Sequence, residues 1–562
     1  MNEKGYSLVV TLLIITIFFI LGLTILSVAI YQARFTEVRV EDVESLHEAT
    51  QAIEETIAEM KVRIDDFELS APEPENVAVP KSLLINKPED LDNQLDDLIG
   101  DLEQRYGVNI EDVTKDYGID QEKRKKLFTR VYTISYDIKD KDSQKTYKTV
   151  ERRVILTNTP SFLKYAIGST KDVILNGGAY IDGNIYAGGN AYVTNVANYI
   201  DNSKKYMEQT SFPTTSKTSV LFVNGSYYSC DHENGARTCY NIADNYFQRL
   251  VANYSNDVRF QSQAPSIQKE REEFIDVDFE WTVKDKLLNA AGIETFSQEY
   301  ETYIDKSISQ LFHELQDRFA VFDSVSSLQE NIDSTNQSII LQSEDSPLFF
   351  LDQGELDLQE KWLIVNGDLF LGNSVDKSTK VRGNIIVLGN LTISGDIELD
   401  STIYVFGRLD SPNVPGRTLI YNANIAGWDD KEVVLLSKGR LEIARINEFE
   451  NNFSQTPNLK GYFYTESNAT VYAVGSYINI EGGLFARGDT SSTAPDFDVS
   501  GLVINAYRGQ VDRPNRLSFT QSNDIEQSRF VIRHDKSVFI NRGEGLPFVK
   551  KLSLVVDKLI VK

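Results

Sequence analysis

Residues 383–406 read GNIIVL, GNLTIS, GDIELD and STIYVF, and GRLDSP follows from Gly407. Each block of six opens on Gly or Ser. Its third residue is Ile385, Leu391, Ile397, Ile403 or Leu409, and its fifth is Val387, Ile393, Leu399 or Val405 before the pattern breaks. Alternate residues of a strand face the same side, so positions 3 and 5 point together. Gly with Asn or Asp at positions 1 and 2 suits tight corners that need positive φ. A period this short predicts short strands ending in corners and stacking their aliphatic residues inward, a β-solenoid with about 18 residues per triangular turn. The alternative, antiparallel hairpins with Gly-Asn turns, is disfavoured by the uninterrupted run of blocks.

The same block recurs along the chain. GGAYID, GNIYAG and GNAYVT run from Gly177, KWLIVN and GDLFLG from Lys361, and GRLEIA from Gly439. SYINIE and GGLFAR run from Ser476, and GLVINA from Gly501. A first solenoid segment is therefore expected over 161–200 and the main one over 351–510. Residues 201–350 break the pattern and read as an inserted α/β subdomain. It holds an amphipathic helix over 303–319, with Ile304, Ile308, Leu311, Phe312, Leu315 and Phe319 on one side. It also holds Cys230 and Cys239, which flank DHENGART. Asn234-Gly235 is the favoured pair for a two-residue turn, so a hairpin with a cross-strand disulfide is expected. A disulfide implies an oxidising, extracytoplasmic compartment. Residues 511–562 are β-rich and are expected to close the structure.

Upstream, Leu8 to Ile30 carry no charge. As a helix this run spans about 35 Å, enough for a hydrocarbon core of about 30 Å. Beyond it, Val43, Leu46, Ile53, Ile57, Met60, Ile64 and Phe67 form a narrow helical seam, with Thr50 filling the one gap. Pro72 and Pro74 end it. One helix over 6–70, apolar all round in its first half and amphipathic in its second, is the expectation. Residues 71–160 read as a small α/β head, with two β-rich arms around KDKDSQK over 130–157.

Composition sets outer bounds. At about 150 residues per domain, 562 residues suggest three or four domains. A formal charge of −26 repels phosphates, so nucleic acid is not an expected partner. Two cysteines and four histidines, at 47, 232, 313 and 534, exclude a zinc-cluster protein and make a multi-histidine metal site improbable.

Lys4-Gly5-Tyr6-Ser7-Leu8, followed by the long half-apolar, half-amphipathic helix, resembles the N-terminus of type IV pilin-like proteins, and more narrowly a PilX-type N-terminal region. The resemblance covers about 65 residues. It implies a leader over 1–5, cut after Gly5 by a prepilin peptidase, with methylation of the new N-terminal Tyr6. One departure stands out: the family's glutamate five residues into the mature chain falls here at Val10. That suits a minor component rather than a major pilin, or a protein that enters no filament.

Chemistry is sparsely signalled. Paired carboxylates are what glycoside hydrolysis requires, and Asp429, Asp430, Asp489, Asp496 and Asp498 are candidates without a distinguishing spacing. Asp90, Asp92, Asp96 and Asp97 lack the full calcium-loop pattern. Lys123-Arg124-Lys125-Lys126 reads as a solvated helix end. Tyr180, Tyr186, Tyr192 and Tyr404 fall at block position 4, facing outward, where they would stack on sugars or pack beneath the insertion. The expectation is a bacterial α+β protein, with a membrane-spanning helix, a small head and a β-solenoid, anchored in lipid with its N-terminus cytoplasmic and its bulk outside. It is expected to be no enzyme and to hold no cofactor or metal. Its expected role is structural, in pilus assembly or adhesion beside other pilin-like subunits. The alternative is a membrane-tethered protein that binds or cleaves surface polysaccharide.

Overall fold

The computed structural model describes residues 3–562 apart from 66–67, 70–83, 86–87, 125–126, 140–144, 234–236, 244–245, 258, 271–273, 296, 344–346, 374–377, 412, 495, 515, 542–544, 548 and 550. Side chains of 3–7, 33–35, 37–38, 41, 65, 68–69, 84–85, 88–90, 430 and 541 are likewise outside the description. The chain forms two compact units. One comprises Met1–Leu69, Val79–Thr157 and Leu552–Lys562, and the other Ser70–Ala78 and Asn158–Lys551.

The first unit is built on a single 63-residue helix, Glu3–Asp65. Its segment Leu8–Gln32 is long and apolar enough to cross a membrane, and none of it is buried. Lower down, Ala49, Ile53, Ile57, Met60 and Ile64 are buried, one residue every three or four positions. They pack on the helix Pro88–Tyr106 and on a four-stranded antiparallel sheet. The sheet's order is Asn109–Asp112, Arg130–Lys139, Thr146–Thr157 and Ser553–Val561. The two arms around KDKDSQK are thus neighbouring strands, as their pattern suggests. The C-terminal strand differs from expectation. Its alternating residues pair with Thr146–Thr157, from Ser553 against Thr157 to Val561 against Val150, and so complete the head instead of closing the second unit.

Among the described residues, the second unit is dominated by one sheet of 25 strands. Its named strands pair in parallel, mostly with the strand two further along the chain. Ile385 stands beside Ile403, eighteen residues on, and Ile167 beside Ile185. Followed across the strands, one file of inward residues runs Leu363, Ile385, Ile403, Leu435, Phe463 and Leu484. The file does not stop there. Leu484 pairs with Ile167, which leads on through Ile185 and Leu221 to Ile267. A parallel file joins Leu502 to Val173. The sheet made by 339–506 therefore continues into that made by 167–268, and the chain enters it in the middle.

This placement corrects the reading of 201–350 as an insertion. Strands Thr214–Thr215, Val220–Val223, Tyr227–Cys230 and Ser266–Gln268 are members of the same parallel sheet. The chain leaves this sheet for two side hairpins, Val196–Asp201 with Lys204–Gln209 and Tyr240–Ala243 with Tyr246–Arg249, and again between Gln268 and Ala320. The amphipathic run 303–319 is broken too. Ser307 accepts the Gln310 backbone N–H in a capping box and starts a fresh helix, Ile308–Glu314.

The inward residues of 383–406 are at most 2 % exposed. Gly389 has a close-packing reason: a Cβ there would lie 2.2 Å from the Gly367 carbonyl. Asparagine in the corner blocks serves less by positive φ than by bonding between rungs. Asp172 accepts from the Asn190 backbone, and Asn190 accepts from that of Ser226. Asp368, Asn390 and Arg417 repeat the device. At one end, Leu328 of the helix Val325–Asn331 and the following Ile332 fill the interior.

Candidate functional site

The outward residues of the sheet fall into files of different chemistry. One residue after the members of the inward file lie Ile364, Ile386, Tyr404, Leu436, Tyr464 and Phe485, followed past the joint by Gly168 and Tyr186. A face this apolar must be covered. The segment from Phe274 onward covers it. The Phe274 ring stacks on Tyr186 at 4.7 Å and on Phe485 at 5.3 Å. Phe279 meets Tyr404 edge-on at 6.2 Å and opens the helix Phe279–Ala290. Another file needs no cover, because its charges alternate in sign: Lys460, Glu481, Arg533 and Asp182 are successive neighbours. Glu355, Lys380 and Glu398 do the same.

The outward tyrosines are therefore packing residues in large part. Tyr186 and Tyr404 lie beneath the covering segment. Tyr192 stacks on Tyr228 at 5.2 Å, with the Arg249 guanidinium 4.1 Å above its ring. Tyr180 is half-buried.

Cys230 and Cys239 form a disulfide. The strands around them are not those of one hairpin. Tyr227–Cys230 pairs in parallel with Ala191–Thr194, whereas Tyr240–Ala243 pairs antiparallel with Tyr246–Arg249. The bond thus ties the large sheet to a side hairpin. Glu233 and Arg237 bridge antiparallel between them, and Asn234-Gly235 lies outside the described residues.

The candidate carboxylates have structural partners. Asp489 accepts from Ser491 and Ser492, and those bonds hold its carboxyl below the usual range. Asp496 lies 2.8 Å from Lys205 and accepts from the Tyr472 hydroxyl at 3.0 Å. Asp498 lies 3.5 Å from Arg249. Asp429 pairs with Arg382, which also faces Asp357 and Asp400 and lies over Trp428. The Asp430 side chain is outside the description. Asp92 binds Arg130 at 2.5 Å and Arg124 at 3.4 Å, while Arg124 also binds Asp112. Lys123 caps the Gly118 carbonyl. Lys125 and Lys126 are outside the description. Among the described residues no group of three or more His, Cys, Asp or Glu could hold a metal ion.

The helix seam divides. Ile53, Ile57, Met60 and Ile64 are buried in the head, Leu46 is half-buried, and Val43 is 67 % exposed. At that level the chain makes an ionic contact, Lys148 to Asp42 at 2.5 Å. Phe67 lies outside the described residues, and so do the side chains of Gly5 and Tyr6.

No family model matches the chain, and no curated protein matches it. Among solved structures, the competence-associated pilin ComZ from Thermus thermophilus is similar at 12% identity, over 91% of this chain and 95% of that one, with a TM-score of 0.26.

Proposed function

We propose that this protein is a membrane-anchored, pilin-like structural component of a bacterial envelope, of the minor-pilin or pseudopilin kind. The observation that carries the reading is the first unit. A single helix leaves its apolar half entirely exposed and packs its other half on an antiparallel sheet. Lipid, or the helices of other pilin-like subunits, would cover the exposed half. We read the second unit as a β-solenoid, supported by its parallel pairing and its eighteen-residue rungs. It is the part presented for assembly or adhesion, on the extracytoplasmic side that its disulfide favours.

Hydrolysis of polysaccharide is the weaker reading, because Asp429, Asp489, Asp496 and Asp498 each have a structural partner. The test is the mature N-terminus, measured by mass spectrometry of protein taken from its native membrane. A chain that begins at a methylated Tyr6 is the expected result, with prepilin peptidase as the processing enzyme. An intact Met1, or a start beyond Ala29, would overturn it.

A further inference from the structure

The capped end of the large sheet opens into a cleft of about 660 Å³, a volume in the range of small-molecule sites. The rungs of the sheet place its polar lining. Phe322 stands beside Leu341, and Leu341 beside Val365. The ladder carries on for one more residue. The Gln342 backbone N–H donates to the Phe322 carbonyl and that of Asn366 to the Leu341 carbonyl, each at 2.9 Å. Asp323, Gln342 and Asn366 therefore follow one another across three rungs, about 4.8 Å apart, and all three line the cleft.

These positions are held from behind. Leu341 and Val365 are buried in the interior. Beside Asn366, Gly367 lies so near the corner that a Cβ there would stand 2.2 Å from the Pro347 carbonyl oxygen. Gln316 lies across the cleft, on the turn Gln316–Arg318, between buried Leu315 and Phe319. Val321 and Phe322 complete that side.

The chemistry of the lining is selective. Gln316, Gln342 and Asn366 are half-buried, and their side-chain amides make no hydrogen bond to any described residue. Among the described residues the lining holds no lysine, arginine or histidine, and Asp323 is its one acid. Each amide offers two donors and two acceptor lone pairs, the complement of neighbouring hydroxyls that both donate and accept. An anion finds no cation here, on a chain of net charge −26. A purely apolar ligand would strip three amides of solvent without replacing their hydrogen bonds. Val321 is 47 % exposed and, with Phe322, offers an apolar strip to the C–H face of a sugar ring.

We propose that this cleft binds a neutral oligosaccharide, with Gln316, Gln342 and Asn366 bonding its hydroxyls and Val321 beneath a ring. One rung of the sheet is close to the length that one sugar adds to an extended chain, so successive sugars meet Gln342 and Asn366 in turn. The proposal deepens the adhesion reading of the second unit and rests on it, since surface glycan is met on the extracytoplasmic side.

The full-length chain is purified in a polyoxyethylene detergent, which carries no sugar. Cellohexaose and N-acetylated chitohexaose are the neutral probes, and hexagalacturonate is the charged counterpart. Saturation-transfer NMR and calorimetry should show binding of at least one neutral probe with a Kd below about 1 mM, and none of hexagalacturonate. Q342A/N366A should weaken it at least about tenfold while keeping the wild-type melting temperature. Q316A, on the opposite wall, should also weaken it and serves where the double variant is unstable. Q248A, which removes an exposed amide from a side hairpin, should leave it unchanged. No binding of either neutral probe would overturn the proposal, as would binding that survives both Q342A/N366A and Q316A, or equal binding of hexagalacturonate. Binding by a chain that keeps Met1 would leave the cleft standing and remove only the pilin reading. No binding by a chain that begins at a methylated Tyr6 would do the reverse.

Discussion

His534 is half-buried, its Nε2 is 2.8 Å from the Leu163 carbonyl, and desolvation lowers its pKa to about 4. The unfolded chain holds the proton near its ordinary value of 6.5, so between pH 6.5 and 4 the unfolded state binds more protons. The stability due to keeping this imidazole neutral is present above pH 6.5 and lost as pH falls towards 4. About 3 kcal/mol is at stake. Glu466 has the opposite sign. Burial raises its carboxyl to about 7, so its penalty is absent below pH 4.5 and complete above 7. Chemical denaturation from pH 4 to 8 should show H534Q losing less stability on acidification than wild type. E466Q should gain up to about 2 kcal/mol over wild type at pH 8 and nothing at pH 4. Parallel pH curves for wild type and both variants would refute these assignments.

At the scale of elements, the N-terminal helix separates two uses of one apolar seam. Ile57 is 6 % exposed and packs in the head, whereas Val43 is 67 % exposed. Ile57→Asp buries an unpaired carboxylate and should cost about 3 kcal/mol or more in urea unfolding of the head. Val43→Asp should change stability by less than about 0.5 kcal/mol. If the exposed half bundles with other helices, Val43→Asp should nonetheless weaken detergent-resistant association, read by cross-linking. For the covering segment, Phe279→Ala should cost about 3–5 kcal/mol and expose 274–290 to protease. The elements also show what a sequence can disclose. The blocks over 383–406 were legible because inward residues recur at a fixed short spacing with corner residues between them. Strands 214–268 were not, because longer connections hide the same rung. Tyr227–Cys230 looked like half of a local hairpin, and its partner is Ala191–Thr194, with the intervening residues diverted. Of the candidate site residues, the cysteine pair and the lower seam were readable from spacing. The Lys205–Asp496 contact was not, since nothing local marks two residues brought together only by the fold.

For the whole molecule, the decisive feature is the joint at which Leu484 meets Ile167 and Asn505 meets Asn176. Buried Asn176 donates to Asn505 across it at 3.0 Å and accepts from Thr194 on the far side. If the joint is as tight as the rest of the sheet, the amides of Val503 and Ile504 should exchange with deuterium as slowly as that of Ile386. Exchange in the manner of a frayed edge would mean that the two stretches of sheet are separate bodies.

That joint sets a schedule for biosynthesis. The strand Asp172–Gly177 leaves the ribosome about 300 residues ahead of the strand that flanks it, and at about 5–20 residues per second the wait is on the order of 15–60 s. For that time an apolar strand edge stands open, the condition in which chains stick to one another. The head waits too, since its fourth strand, Ser553–Val561, comes about 400 residues after the strand that it pairs with. A nascent chain of this kind completes its sheets only when distant partners arrive, and a stop codon anywhere upstream of Ser553 would deprive even the N-terminal helix of its full platform.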